Sequence, residues 1–222
     1  MTRTAGSKGE KTLSALREAG LRRLSQQGFS GMTLRELAGD VGIQAGSLYN
    51  YFQNKQDFLY QVLLTVMEDL SEELNGKLKG AETPRKAMLA YVDCHVSFHS
   101  SRKQEVVIST MELRSLNKEN YQKIVTLRDR YEGQFRHILE WGNQEQVWKV
   151  SDPQVATKLI LGMMTSVGTW YKAGGRYQIS DLVLIYQDMI DNLLRNEVGT
   201  HTMNSMIDYG ERLETNAKNR PL

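Results

Sequence analysis

The chain of 222 residues has one cysteine, three prolines, no long apolar run and a net charge of only +2, and each shortage excludes something. The lone Cys94 has no partner within the chain, which rules out an internal disulfide framework. No charged-then-apolar leader and no apolar stretch of about 18 residues appears, so neither export nor membrane spanning is expected, and a reducing, cytoplasmic setting follows. The small net charge argues against a protein that coats nucleic acid by bulk electrostatics. Two of the prolines, Pro84 and Pro153, follow Thr83 and Asp152. That is the order of a helix start, a cap residue and then proline at the first helical position. Few segments alternate with period two, and no internal repeat or low-complexity tract occurs. The expected fold is all-α.

Charge is unevenly placed. Residues 1–60 carry eight basic side chains (Arg3, Lys8, Lys11, Arg17, Arg22, Arg23, Arg35, Lys55) against five acidic ones (Glu10, Glu18, Glu36, Asp40, Asp57). An anionic polymer therefore meets this end first. Here Leu13, Leu16, Gly20 and Leu24 keep helical spacing up to Gly28 and Gly31, which stop a first helix. Arg17, Arg22 and Arg23 fall mostly off its apolar stripe. Thr33 and Glu36 form a capping box before Leu34, Leu37, Ala38 and Val41, so a short second helix follows and ends at Gly42. A third is predicted over Ala45 to Tyr51. A link this short, opened by glycine, makes the two helices cross steeply as a helix-turn-helix.

Leu48 and Phe52, four apart, anchor the third helix. Gln44, Ala45, Ser47, Tyr49, Asn50 and Tyr51 are left outward, where amides can reach base edges in a major groove and hydroxyls can hold phosphates. Asn54 and Asp57 repeat the cap spacing and open a long fourth helix through Phe58, Leu59, Val62, Val66, Leu70 and Leu74. Lys55, in its first turn, opposes the helix dipole unless an anion lies nearby, which suits a phosphate contact; the plainer alternative is a solvated lysine. Beyond Gly80, helices are predicted at about 84–100, 104–115, 118–141, 153–172 and 181–195. Several are apolar around most of their circumference and so central in a bundle.

The stretch TLRELAGDVGIQAGSLYNYFQNKQDFLYQVL, Thr33 to Leu63, resembles the signature of TetR-type transcriptional repressors at Thr33, Ala38, Gly42, Gly46, Leu48, Tyr49, Tyr51, Phe52, Lys55 and Leu59. The resemblance implies that Thr33, Tyr49, Tyr51 and Lys55 hold phosphates or groove walls while the start of the third helix reads bases. The candidate DNA contacts are Thr33, Arg35, Gln44, Ala45, Ser47, Tyr49, Asn50, Tyr51 and Lys55. Gln44 replaces the usual serine cap and Asn50 an aromatic or basic residue, which makes both amides candidates for adenine or guanine recognition. The resemblance further implies a helix-turn-helix DNA-binding domain at 8–54, a helical bundle for ligand binding and dimerisation at 55–196, entered by the long fourth helix, and a polar tail at 197–222, loose or folded as one added helix. Arg3 is a candidate for a minor groove.

Met111–Leu139 and Leu161–Leu182 are similar to the branch of that family that responds to acyl-CoA thioesters. A cavity for such an effector needs apolar walls and a few polar groups. Met88, Tyr91, Val92, His95, Phe98 and His99 form one candidate wall, with Arg114, Arg128, Trp141 and Trp170 as further ones; arginines at the mouth would pair with phosphates. Ordinary core packing explains the same residues equally well. A metal at His95 and His99 is disfavoured, because Cys94 points about 100° away from His95 and no third ligand is near. No metal or other cofactor is therefore expected.

No nucleophile elbow, Walker loop or Rossmann fingerprint occurs, so an enzyme is not expected. Apolar faces with small residues, Ala156, Leu159, Ile160, Gly162, Met163, Ser166 and Gly168 on one helix and Leu182, Ile185, Tyr186, Met189, Ile190, Leu193 and Leu194 on the next, resemble the family's four-helix dimer seam, or else serve the chain's own core. The combined expectation is a homodimer on a palindromic double-stranded DNA operator, released by a small-molecule effector, an acyl-CoA. Alternatives are a different hydrophobic effector, or a protein partner and no ligand.

Overall fold

Local capping sets where most helices begin. In the computed structural model, which describes residues 6–195, the first helix, α1, spans Gly6–Gly31 with a break at Gly28, whose φ of 68° is left-handed. Arg3 and the tail at 197–222 lie outside the described residues. Thr33 caps α2 (Leu34–Val41) with the full reciprocal box: its side chain accepts from Glu36 N, and the Glu36 carboxylate accepts from Thr33 N at 2.9 Å. Gly42, at φ 71°, ends α2 in the left-handed conformation that glycine adopts without a Cβ penalty.

α3 is shorter than predicted, Ala45–Leu48 rather than Ala45 to Tyr51. Tyr49 and Asn50 continue in tighter turns, with Tyr49 N bonded to Gly46 O and Asn50 N to Ser47 O. The chain must straighten by Asn54, whose extended backbone caps α4 (Lys55–Leu78), and that leaves no room for a further regular turn.

α4 buries Phe58, Leu59, Val62 and Leu63 near its start and Val66, Met67, Leu70 and Leu74 further on, and so runs from the first three helices into the remainder. α5 (Pro84–Ser101) packs against α4, α7 (Lys118–Gln144), α8 (Pro153–Thr165) and α10 (Ile179–Arg195), which is why it is buried around most of its circumference. A two-pronged Arg85–Asp191 ion pair, both contacts 2.9 Å, ties it to α10.

Two helices predicted as single pieces are broken. The 104–115 segment is α6 (Lys103–Met111) followed by a short 3-10 turn, Leu113–Ser115, with Glu112 between them at φ −93° and ψ 0°. The 153–172 segment breaks at Ser166 into α8 and α9 (Val167–Trp170), where Ser166 Oγ donates to Met163 O at 2.7 Å. Neither break carries proline or glycine.

Candidate nucleic-acid interface and internal cavity

The helix-turn-helix is held from beneath. Leu48 and Phe52 are each 1% exposed, and the Phe52 ring meets Phe58 edge-on at 5.1 Å. Arg23 on α1 bonds both carboxylate oxygens of Asp40 on α2, and that bond holds the Asp40 carboxyl below its usual range. These ties fix the reading surface without using it. Gln44, Ala45, Ser47, Tyr49 and Asn50 are exposed, Tyr49 to 61%, while Tyr51 is half-buried against the core and not fully outward as expected. Gln44 makes no side-chain cap bond, so its amide is available. Arg35 is exposed on α2.

Two candidate contacts are already engaged. The Thr33 hydroxyl serves the capping box. Lys55 donates to Ser30 O at 3.2 Å and lies 4.5 Å over the Phe29 ring, so it already has partners, and a phosphate would have to share it.

A cavity of about 160 Å³ lies deeper, between five helices. Its apolar side is Val66, Met67 and Leu70 of α4, Phe98 of α5, Val106 of α6 and Leu161 of α8. The polar side is formed by His95 and His99, Ser109 and Thr110, Arg128, Tyr131 and Glu132, and Thr165. Four expected lining residues, His95, Phe98, His99 and Arg128, are there. Met88 and Val92 are not, because α5 is covered on its other sides and they are fully buried core. Tyr91 lies one layer back, its hydroxyl donating to Tyr131 O at 3.0 Å and its ring 4.7 Å from Phe135. Trp141 is 13 residues along α7 from Arg128, about 20 Å by helical rise. Arg114 and Trp170 are exposed, the latter to 49%. Missed by the sequence reading were Val66, Met67, Leu70, Val106, Ser109, Thr110, Tyr131, Glu132, Leu161 and Thr165; the Ser-Thr pair that follows three apolar residues in α6 was the available signal.

The polar side is an ordered network. His95 bonds Tyr131 Oη through Nδ1 and Thr165 Oγ1 through Nε2, both at 3.0 Å. The His99 ring stacks on it at 3.8 Å and donates from Nδ1 to His95 O at 2.8 Å, which leaves Nε2 as an acceptor in the neutral ring. Burial keeps both rings neutral, His95 well below the usual histidine range and His99 pushed down to about 4. Arg128 donates from Nη2 to Ser109 O at 2.9 Å and Ser109 Oγ at 3.2 Å. Cys94 faces α4, its sulfur 3.9 Å from Leu70 O and its thiol pushed up to about 12 by burial. Among the described residues no three His, Cys, Asp or Glu side chains gather as a metal site, and no helix is long and apolar enough to cross a membrane.

An outward helix-turn-helix mounted on a helical bundle with an internal cavity defines a helix-turn-helix DNA-binding regulator. Residues 16–62 match the family described as bacterial regulatory proteins of the tetR family, and residues 81–194 match the tetracyclin repressor-like C-terminal domain. The chain belongs to the TetR family of transcriptional repressors and is not an enzyme.

Among its relatives is the fatty acid metabolism regulator protein of Bacillus subtilis, 24% identical over 179 residues, covering 80% of this chain and 91% of that one. Similar solved structures include a tetR-family regulatory protein from Rhodococcus RHA1 (TM-score 0.77, 19% identity, 83% of this chain and 97% of the other). Another is AibR in complex with isovaleryl coenzyme A and operator DNA (TM-score 0.71, 21% identity, 82% and 97%). At these identities the likeness to solved structures is one of fold.

Proposed function

We propose that the protein is a homodimeric repressor whose two α3 segments enter successive major grooves of a palindromic operator, and that an acyl-CoA effector in the α4–α8 cavity releases it. Residues 8–54 act as the reading unit, and 55–196 as the effector and dimer unit.

The observation that carries this reading is the position of α6. Its Ser109 accepts from Arg128 in the cavity, and beside its ends Gln104 donates to Leu21 O at 3.3 Å while Glu112 accepts from Phe29 N at 3.0 Å, both on α1. One short helix thus touches both the cavity and the DNA-reading unit, alongside α4. A ligand that binds better when α6 has shifted moves the reading helices by that difference in affinity, typically about 1–3 kcal/mol.

Dimerisation is supported by an apolar face left uncovered on α8 and α10: Val155, Leu159, Leu184, Ile185, Met189 and Leu193 are all exposed. Contiguous patches of this kind mark association surfaces. The acyl-CoA assignment draws support from the names of the fatty acid metabolism regulator and of the isovaleryl coenzyme A complex.

Operator fragments selected from random DNA, followed by gel shifts with acyl-CoAs and free CoA, test the proposal. Selected sites should be palindromic, and acyl-CoA but not CoA should release them. Non-palindromic sites bound by monomers would overturn it.

A further inference from the structure

The Arg128 guanidinium lines the cavity with two of its three nitrogens idle. Nη2 serves Ser109, while Nε and Nη1 bond no protein group among the described residues. No carboxylate there forms an ion pair with it. The nearest candidate, Glu132, lines the same cavity one turn on, but pairs with Lys158 at 3.9 Å. Burial disfavours the charged guanidinium by more than Glu132 and Tyr121 favour it, so its surroundings compensate it only in part. A half-buried charge that is only partly compensated is costly, and a neutral carbonyl offsets little of that cost.

We propose that the effector places a carboxylate against Arg128, with an apolar body filling the space beside Val66, Leu70, Phe98 and Leu161. With Nη2 on Ser109, a carboxylate oxygen can accept one charge-assisted hydrogen bond from the idle Nη1 or Nε. His99 is neutral and offers only an acceptor, so it does not substitute for the arginine.

Size limits the body. A cavity of ~150 Å³ takes benzene, so the 160 Å³ here suits a chain or ring of about six carbons. The coenzyme portion of a thioester would lie outside. Two sources share this chemistry: a free short acid, or a thioester whose acyl chain ends in a second carboxylate. This proposal rests on the effector reading above and narrows it.

Isothermal titration of the full chain with two matched pairs tests it: hexanoate against hexanamide, and adipoyl-CoA against hexanoyl-CoA. The charged member of at least one pair should bind about tenfold to a hundredfold tighter, the margin of charge-assisted hydrogen bonds. Preference in the first pair identifies a free acid, and in the second an ω-carboxyl thioester. The preference should vanish in Arg128→Gln, and the wild-type comparison stands alone if that variant does not fold.

Equal binding within both pairs, or no binding by any of the four, overturns the proposal. Operator gel shifts with the same compounds separate the two readings. If hexanoyl-CoA alone releases the operator, the carboxylate proposal fails and the effector reading stands. If a carboxylate binds without releasing it, the effector reading fails instead.

Discussion

Glu112 accepts the backbone N–H of Phe29 at 3.0 Å, across 83 residues of chain and directly after the left-handed break at Gly28. The same carboxylate accepts the Ser115 hydroxyl at 2.7 Å, so the link between α1 and the end of α6 is braced on its own side. One turn earlier, Ser109 takes the Arg128 donor inside the cavity. Cavity and reading unit are thus joined through α6 and Glu112 just past its end.

Glu112→Ala should therefore weaken communication more than DNA binding. Loss of the acceptor leaves Phe29 N unpaired and should cost about 1–3 kcal/mol of stability. The operator should still be bound, but its release should require several-fold more effector. Operator titrations with and without effector, beside thermal melts, measure both. Unchanged release would assign the coupling to α4 alone.

Tyr49→Ala and Leu48→Ala should part company although the residues are adjacent. Tyr49 is 61% exposed, so its removal should change stability by no more than about 0.5 kcal/mol while cutting operator affinity. Leu48 is 1% exposed and lies under the reading surface, so truncation should cost about 2–5 kcal/mol. Melting curves and gel shifts on the two variants check the contrast; an unchanged gel shift for Tyr49→Ala removes that residue from the groove.

The division between what was legible in the sequence and what was not follows the range of the interactions. The Thr33–Glu36 box, the Asn54 cap and the Thr83-Pro84 and Asp152-Pro153 starts depend on groups at most four residues apart, and local spacing reveals them. Lys55 was harder. Its dipole conflict pointed to an anion nearby, whereas the partner within the fold is a neutral carbonyl, Ser30 O, 25 residues away. On α5 buried residues lie on more than one face, so no periodicity separates His95, Phe98 and His99, which face the cavity, from Met88 and Val92, which face neighbours. The breaks at Glu112 and Ser166 stayed hidden because neither residue is a glycine or a proline.

The exposed seam on α8 and α10 should behave as an interface. Leu159 and Leu184 are 68% and 65% exposed, far more than large apolar side chains need be in a free monomer. Leu159→Glu with Leu184→Glu should leave the protomer folded, with a stability change within about 0.5 kcal/mol per site, because neither residue is in its core. Sedimentation should shift from dimer to monomer, and operator affinity should collapse, since one helix-turn-helix reads only a half-site. A double variant that sediments as the wild type does would mean that the seam lies elsewhere.

The stacked histidines make stability depend on pH in a definite direction. In the unfolded chain each ring takes a proton near pH 6.5. In the fold, burial holds His95 well below its usual range, with His99 adding to the effect, and holds His99 down to about 4, with Arg128 lowering it further and the bond to His95 O raising it. A native pKa below the unfolded one means that the unfolded state binds more protons. Stability is then full above about pH 6.5 and falls as the solution is acidified toward 4, by up to about 1.4 kcal/mol per pH unit for each ring. His99→Gln keeps a polar side chain in the cavity wall but removes one of the two proton sinks. Urea titrations between about pH 7.5 and pH 5 should show a shallower acid loss for this variant than for the wild type. Equal slopes would mean that His99 takes its proton inside the folded protein, with the cavity open enough to hydrate the charge.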